Sequence, residues 1–156
     1  YILLRFRKWQ YGVGSVIALA HDAFLTIGVF SLFYQILPIN LEVNQSFIAA
    51  ILTIIGYSIN DKVVIFDRIR EYTGLYPKRG VRENMNNAVN STLSRTINTS
   101  GTTFVVLLAI FLFGGDVIRG FIFALMFGVL IGTLSSIFIA TPIAFDFMPK
   151  DKKALK

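Results

Sequence analysis

The sequence predicts an all-α integral membrane protein with four transmembrane helices, and three observations carry that reading. Hydrophobic residues make up 54% of the 156-residue chain and charged residues 15%, with a mean hydropathy of +0.65, a balance that a soluble domain of this size cannot hide. The apolar residues gather into four runs that reach the ~20 residues needed to cross a bilayer. The Lys and Arg residues fall in alternate loops, the pattern expected when positive charge is kept in the cytoplasm.

Residues 1–10 (YILLRFRKWQ) open with an apolar piece too brief to span, suited to ending an earlier transmembrane helix, and turn basic at Arg5, Arg7 and Lys8. Without an opening methionine the chain reads as a fragment. No cleavable signal peptide is expected, because the apolar segments are long and repeated and no A-x-A site follows a basic start. The first span, residues 11–37, carries His21 and Asp22 near its centre, with Ala18 and Thr26 one turn either side of Asp22. Residues 38–46 have no Lys or Arg and form an extracytoplasmic loop, and the second span follows at residues 47–66.

Residues 67–92 form the cytoplasmic loop. DRIRE (residues 67–71) continues the second helix until Gly74, Pro77 and Gly80 interrupt it. Beyond them Val81, Met85, Ala88, Val89 and Thr92 recur at helical spacing, with Arg82, Asn86, Asn87 and Asn90 elsewhere on the wheel, which predicts a short amphipathic connector helix along the membrane surface. The third span is residues 93–113, a charge-poor extracytoplasmic turn takes residues 114–116, and the fourth span is residues 117–145. Gly128, Gly132 and Ser136 make a small-residue row on that last span, suited to close helix packing. The tail, residues 146–156, is basic, so both ends and the middle loop are placed in the cytoplasm. Arg119, just past the second outer turn, departs from the pattern and is expected to snorkel outward.

Several functions are set aside by the residues themselves. Cysteine is absent, which removes disulfide frameworks and thiol metal sites. The +6 net charge is explained by topology, and no aromatic-interleaved basic face suggests a nucleic-acid partner. GGDVIRG (residues 114–120) lacks the Lys and Ser/Thr of a phosphate-binding loop.

The chemistry lies in an acid and a base inside neighbouring spans, Asp61 and Arg95. An ionisable side chain at bilayer depth costs at least ~2.5 kcal/mol, so it persists where it pairs, relays protons or lines a pathway. At ~1.5 Å per residue Asp61 lies about 7 Å, and Arg95 about 12 Å, to the cytoplasmic side of the midplane, a difference that an arginine side chain bridges. Thr53, Tyr57, Asn60 and Asp61 share one helical face, and Arg95, Asn98, Thr99, Thr102 and Thr103 share another, so a common polar seam is expected between the two spans. Two readings stand for the pair, a fixed tie between helices and an active proton-linked role. His21 with Asp22 is equally open, as a satisfied hydrogen-bonding group or a proton relay, while a metal would need more ligands.

ALAHD (residues 18–22), IGYSINDKVVIFDRIRE (55–71), TLSRTINTSGTT (92–103), FLFGG (111–115) and IGTLSSIFIA (131–140) together resemble the SecF family, membrane subunits of the bacterial SecDF complex, across nearly the whole chain. The resemblance implies a fold of the resistance-nodulation-division type, in which SecD and SecF each contribute a six-helix half. This chain would supply the last four helices of the SecF half. It further implies a multi-pass protein of the bacterial inner membrane, an accessory subunit rather than an enzyme, that helps the Sec translocase export preproteins with the proton motive force. SecD, the SecYEG translocon, YajC, YidC, unfolded preproteins and lipid are the implied partners, and protons rather than any cofactor the coupling species.

Carried over by resemblance, Asp61 corresponds to the proton-responsive carboxylate and Arg95 to its partner, with Asn60, Tyr57, Thr99, His21 and Asp22 in support. Lys62 stands where the family often has a small hydroxyl residue. One position beyond Asp61 it points about 100° away, and it is expected to snorkel to the cytoplasmic surface. A proton-coupled exporter of small molecules or lipids from the same superfamily, or a structural scaffold, would share these helices.

Overall fold

The computed structural model describes residues 2–6, 8–34, 36 and 43–148, the side chains of Leu3 and Arg5 excepted. Most of the predicted loop 38–46, the tail beyond residue 148, Tyr1 and Arg7 lie outside the described residues. All regular structure among the described residues is helical: α1 (Ile2–Phe6), α2 (Trp9–Phe33), α3 (Gln45–Leu75), α4 (Val81–Phe113), α5 (Asp116–Ser135), a π-helical turn (Ser136–Ala140) and α6 (Thr141–Asp146). Four helices are long and apolar enough to cross a membrane: α2, α3, α4 and the continuous helix Asp116–Asp146.

Local chemistry sets the helix ends. Asn44 caps α3, its side-chain oxygen accepting from the Phe47 amide at 3.1 Å, which satisfies one of the donors a helix start leaves free. At its far end α3 runs through Gly74 and stops ahead of Pro77, which has no amide hydrogen to continue the ladder. Asn84 then donates to the Tyr76 carbonyl at 3.0 Å and ties the short α3–α4 loop to α4. Gly114 and Gly115 make the turn between α4 and α5, and Asp116 in the first turn of α5 pairs with Arg119 at 2.7 Å. Arg119 therefore reaches back one turn toward the Gly114–Gly115 end of the helix, the direction in which it is expected to snorkel, and pairs there with Asp116.

The predicted surface helix is not separate from the third span. Val81–Phe113 is one unbroken helix, and residues 81–100 contain neither Gly nor Pro to break it. Its polar start therefore extends the spanning helix instead of lying beside it.

In the last span the backbone widens into a π turn just before Pro142. The proline ring would press on the carbonyl four residues back, and a wider turn relieves that crowding. Thr141 Oγ1 donates to the Ser136 carbonyl at 2.9 Å across the widened turn.

Helix α3 is the centre of the bundle, packing against α2, α4 and α5. Two apolar clusters close the bundle at opposite ends. Towards the α3–α4 loop, Phe6, Tyr11, Phe66, Ile69 and Met85 pack with Ala18, Ala140 and Ala144, the Tyr11 and Phe66 rings 4.7 Å apart. Towards the Gly114–Gly115 turn, Phe30 and Phe47 stack at 4.3 Å beside Ala50 and Ala124. Large apolar side chains such as Val16, Phe24, Leu52, Val105 and Phe138 point outward, as lipid-facing residues do. Between the two clusters the packing turns polar.

Candidate functional site

Two polar clusters flank α3 at nearly the same level. The first joins α2, α3 and α5. Asp22 and Lys62 are both fully buried, and Lys62 Nζ lies 3.1 Å from Asp22 Oδ2. Ser58 and Ser135, also buried, donate to the same carboxylate oxygen at 2.7 and 2.8 Å. Lys62 also donates to Ser58 Oγ and, at 3.3 Å, to Ser135 Oγ. His21 Nδ1 lies 3.3 Å from Asp22 Oδ1, its ring partly exposed. The ammonium has three oxygen partners and Asp22 Oδ2 has three donors around it, which is what keeps a buried ion pair tolerable in a low-dielectric interior.

Close helix approach makes this cluster possible. A Cβ on Gly132 would sit 3.0 Å from Ser58 Cβ and Oγ, and one on Gly128 would collide with the Ile54 side chain. The small-residue row on α5 therefore lets α3 come near enough for Ser135 and Lys62 to meet. Ser136, the third member of the row, turns its hydroxyl back onto the Gly132 carbonyl at 2.7 Å.

The second cluster joins α3, α4 and α5 around Asp61, which is 4% exposed. Its carboxylate accepts from Thr133 Oγ1 at 3.4 Å. Thr133 is 2.5 Å from Ser100 Oγ, and the Tyr57 hydroxyl lies 3.5 Å from both Ser100 and Thr103. Among the described residues Asp61 forms no ion pair. The two carboxylates thus differ in kind: Asp22 is saturated and neutralised in place, whereas Asp61 rests on one long hydroxyl contact.

The expected seam is only partly assembled. Tyr57 and Thr103 reach it, but Asn60 and Thr99 are exposed, and Thr99 donates to the Arg95 carbonyl of its own helix. Arg95 is exposed as well and makes no ion pair with Asp61. It borders a cleft with Asp67, Arg68, Glu71 and Ser91. The reason is the register of α4. Its buried face is Met85, Ala88, Thr92, Thr96 and Ser100, and Arg95 stands one residue, about 100°, off that line.

Lys62 is the largest departure. Instead of snorkelling to a surface it turns inward, because α2 presents Asp22 on the side of α3 that its 100° offset faces. Sequence reasoning missed Ser58, Ser100, Thr133 and Ser135. A signal for one of them was present, since Ser58 and Lys62 are four residues apart and share a helical face with Ile54 and Ile65. Among the described residues no group of three or more His, Cys, Asp or Glu side chains is placed to hold a metal.

Residues 1–150 match the family model described as "Protein export membrane protein SecD/SecF, C-terminal". The chain is 53% identical over 146 residues to protein translocase subunit SecF of Rhodothermus marinus, a match covering 94% of this chain and 47% of the relative. With protein translocase subunit SecF of Cereibacter sphaeroides the identity is 52%, over 92% of this chain and 42% of the relative. The chain therefore spans roughly half the length of these relatives or less. It also resembles a crystal structure of SecDF in super-membrane-facing form, with a TM-score of 0.85 and 41% identity, covering 94% of this chain and 19% of that one. A match over nearly every residue, joined to four spans in the same arrangement, shows that the chain belongs to the SecD/SecF C-terminal family of protein export membrane proteins.

Proposed function

We propose that this chain is the membrane part of a SecF-type subunit that uses the proton motive force to promote preprotein export, with Asp61 as the group that takes up and releases the proton. The observation that carries this reading is the contrast above: Asp61 is a buried carboxylate inside a membrane-crossing helix with no cation in contact among the described residues, while the nearby Asp22 is paired with Lys62. A carboxylate held that loosely can change protonation with little else to break.

A proton crossing 100 mV releases ~2.3 kcal/mol, about fifty-fold in a two-state equilibrium, which is enough to bias one helix arrangement over another. Because α3 touches α2, α4 and α5, a change of charge at Asp61 acts on a helix that packs against every other span. Arg95, exposed on α4, is the cation this reading assigns to Asp61 when the helices rearrange. Arg95, Asn98, Thr99 and Thr102 form an exposed polar face on a spanning helix, a surface that lipid covers poorly and a protein neighbour covers well. SecD is the neighbour proposed there. SecYEG, YajC and YidC are further partners in the reading, the unfolded preprotein is the cargo, and the subunit acts by coupling and not as an enzyme.

The proposed setting is the bacterial cytoplasmic membrane, with the α3–α4 loop and both ends on the cytoplasmic side. Residues 1–156 contain no cysteine, so once any cysteine elsewhere in the complete subunit is replaced, that orientation is simple to test. In the complete subunit a cysteine replacing Lys78 should react with an impermeant thiol reagent only from the cytoplasmic face, and one replacing Asp116 only from the opposite face.

Translocation tests the function itself. In vesicles carrying the complete SecF-type subunit with SecD at matched levels, Asp61→Asn should abolish the part of preprotein export that a proton gradient stimulates and leave the remainder. Unchanged stimulation would make Asp61 a structural residue.

A further inference from the structure

The buried cluster around Lys62 has the form of an ion-binding site. Three oxygens converge on the ammonium: Asp22 Oδ2 at 3.1 Å, Ser135 Oγ at 3.3 Å and Ser58 Oγ. The Ser58 hydroxyl donates to Asp22 Oδ2 at 2.7 Å, and that of Ser135 has the same oxygen at 2.8 Å and the Gly132 carbonyl at 3.1 Å as acceptors, so each oxygen keeps lone pairs for the nitrogen. The carboxylate and hydroxyls come from three different helices, and none of these residues is more than 1% exposed.

One carboxylate charge and two neutral hydroxyls balance one positive charge. A divalent ion would leave a net charge of +1 in a site closed to water, at the high cost of an unpaired buried charge. Hard, all-oxygen donors of this kind suit alkali cations and not softer transition metals. The ammonium arrives on a tether: Lys62 lies four residues after Ser58 on α3 and folds back onto it.

We propose that Asp22, Ser58 and Ser135 form an alkali-cation site whose permanent occupant is the chain's own Lys62 ammonium. The tethered charge holds α2, α3 and α5 together and denies the site to free sodium or potassium. Shortening Lys62 to a small side chain removes the occupant and leaves three oxygens around an uncompensated negative charge, open to a cation from solution. Its consequence for function, which does rest on the reading of Asp61 given above, is that protons acting at Asp61 are left as the coupling ion.

The site can be tested without any translocation assay, so its failure is distinguishable from failure of the proton-coupling reading. The complete SecF-type subunit, purified with SecD, is melted in sodium, potassium or choline chloride at constant ionic strength. The wild-type protein should melt at the same temperature in all three. Lys62→Ser should gain a few degrees for each tenfold rise in sodium or potassium and gain nothing in choline. Combining Lys62→Ser with Asp22→Asn should abolish that response, because the negative charge is gone. Indifference of Lys62→Ser to alkali cations, or a response that survives in the double variant, would overturn the proposal. Because a potassium-rich cytoplasm should fill the emptied site, failure of Lys62→Ser to accumulate while the double variant does would also overturn the proposal. Failure of both would show that the ammonium does something other than neutralise Asp22.

Discussion

The two sides of α3 solve the same problem in opposite ways. Towards α2 and α5, a charged pair is driven into the membrane-spanning bundle and closed completely, with Lys62, Asp22, Ser58 and Ser135 satisfying one another. Towards α4 and α5, a single carboxylate, Asp61, is buried with a hydroxyl at 3.4 Å and no cation in contact. The first arrangement is costly to disturb and so serves as an anchor. The second costs little to rearrange, which is what a group that must bind and release a proton requires. Adjacent residues thus meet different surroundings because of the helix faces they occupy.

The comparison is easiest to break from its closed side. Lys62→Met leaves the Asp22 carboxylate buried without its cation and should destabilise the complete subunit by about 3–5 kcal/mol, whereas Lys62→Met with Asp22→Asn should recover most of the loss. Thermal unfolding of the purified complex measures both. Asp61→Asn, in contrast, should destabilise the subunit by no more than about 1 kcal/mol, because it removes one hydroxyl contact and no ion pair, and it relieves an unpaired buried charge. Equal losses for the Lys62 and Asp61 variants would erase the distinction between the two sides.

Next in size is the packing that brings the closed cluster together. Gly128→Val puts atoms into the space of the Ile54 side chain and should cost about 1–3 kcal/mol through overpacking of α5 on α3. Ser58→Ala takes one oxygen from both Lys62 and Asp22 and should cost about 1–2 kcal/mol, read in the same melting experiment. Smallest should be Asn60→Ala. Asn60 is exposed on the described chain and lies outside the α4 face proposed to meet SecD, and the variant should stay within about 0.5 kcal/mol of wild type.

The spans were legible in the sequence because bilayer crossing needs long apolar runs, and four such runs are present. The join between the loop helix and the third span was not. Asn86, Asn87 and Asn90 make residues 81–92 look like a surface segment, yet polarity alone does not end a helix when no Gly or Pro is there to do so. Asp61 stood out as an acid in an apolar span, and the structure does bury it. Its neighbour was misread because a single polar seam was assumed. Helix α3 is buried on two sides, so a 100° offset moves Lys62 from one interface to another and not into lipid or water. In α4 both faces carry hydroxyl residues, Thr92, Thr96 and Ser100 inward and Thr99 and Thr102 outward, so periodicity could not tell which face would turn in.

The most direct measurement of the contrast is carbodiimide modification of the complete subunit in membranes, followed by mass spectrometry of the peptides holding Asp22 and Asp61. A lipid-soluble carbodiimide reacts with a carboxyl group only when it is protonated, and an ion-paired carboxylate resists it. The account predicts modification of Asp61 that increases as pH falls, and an unmodified Asp22 in the same sample. Modification of Asp22 to the same extent as Asp61, or an Asp61 that stays unreacted at every pH, would contradict it.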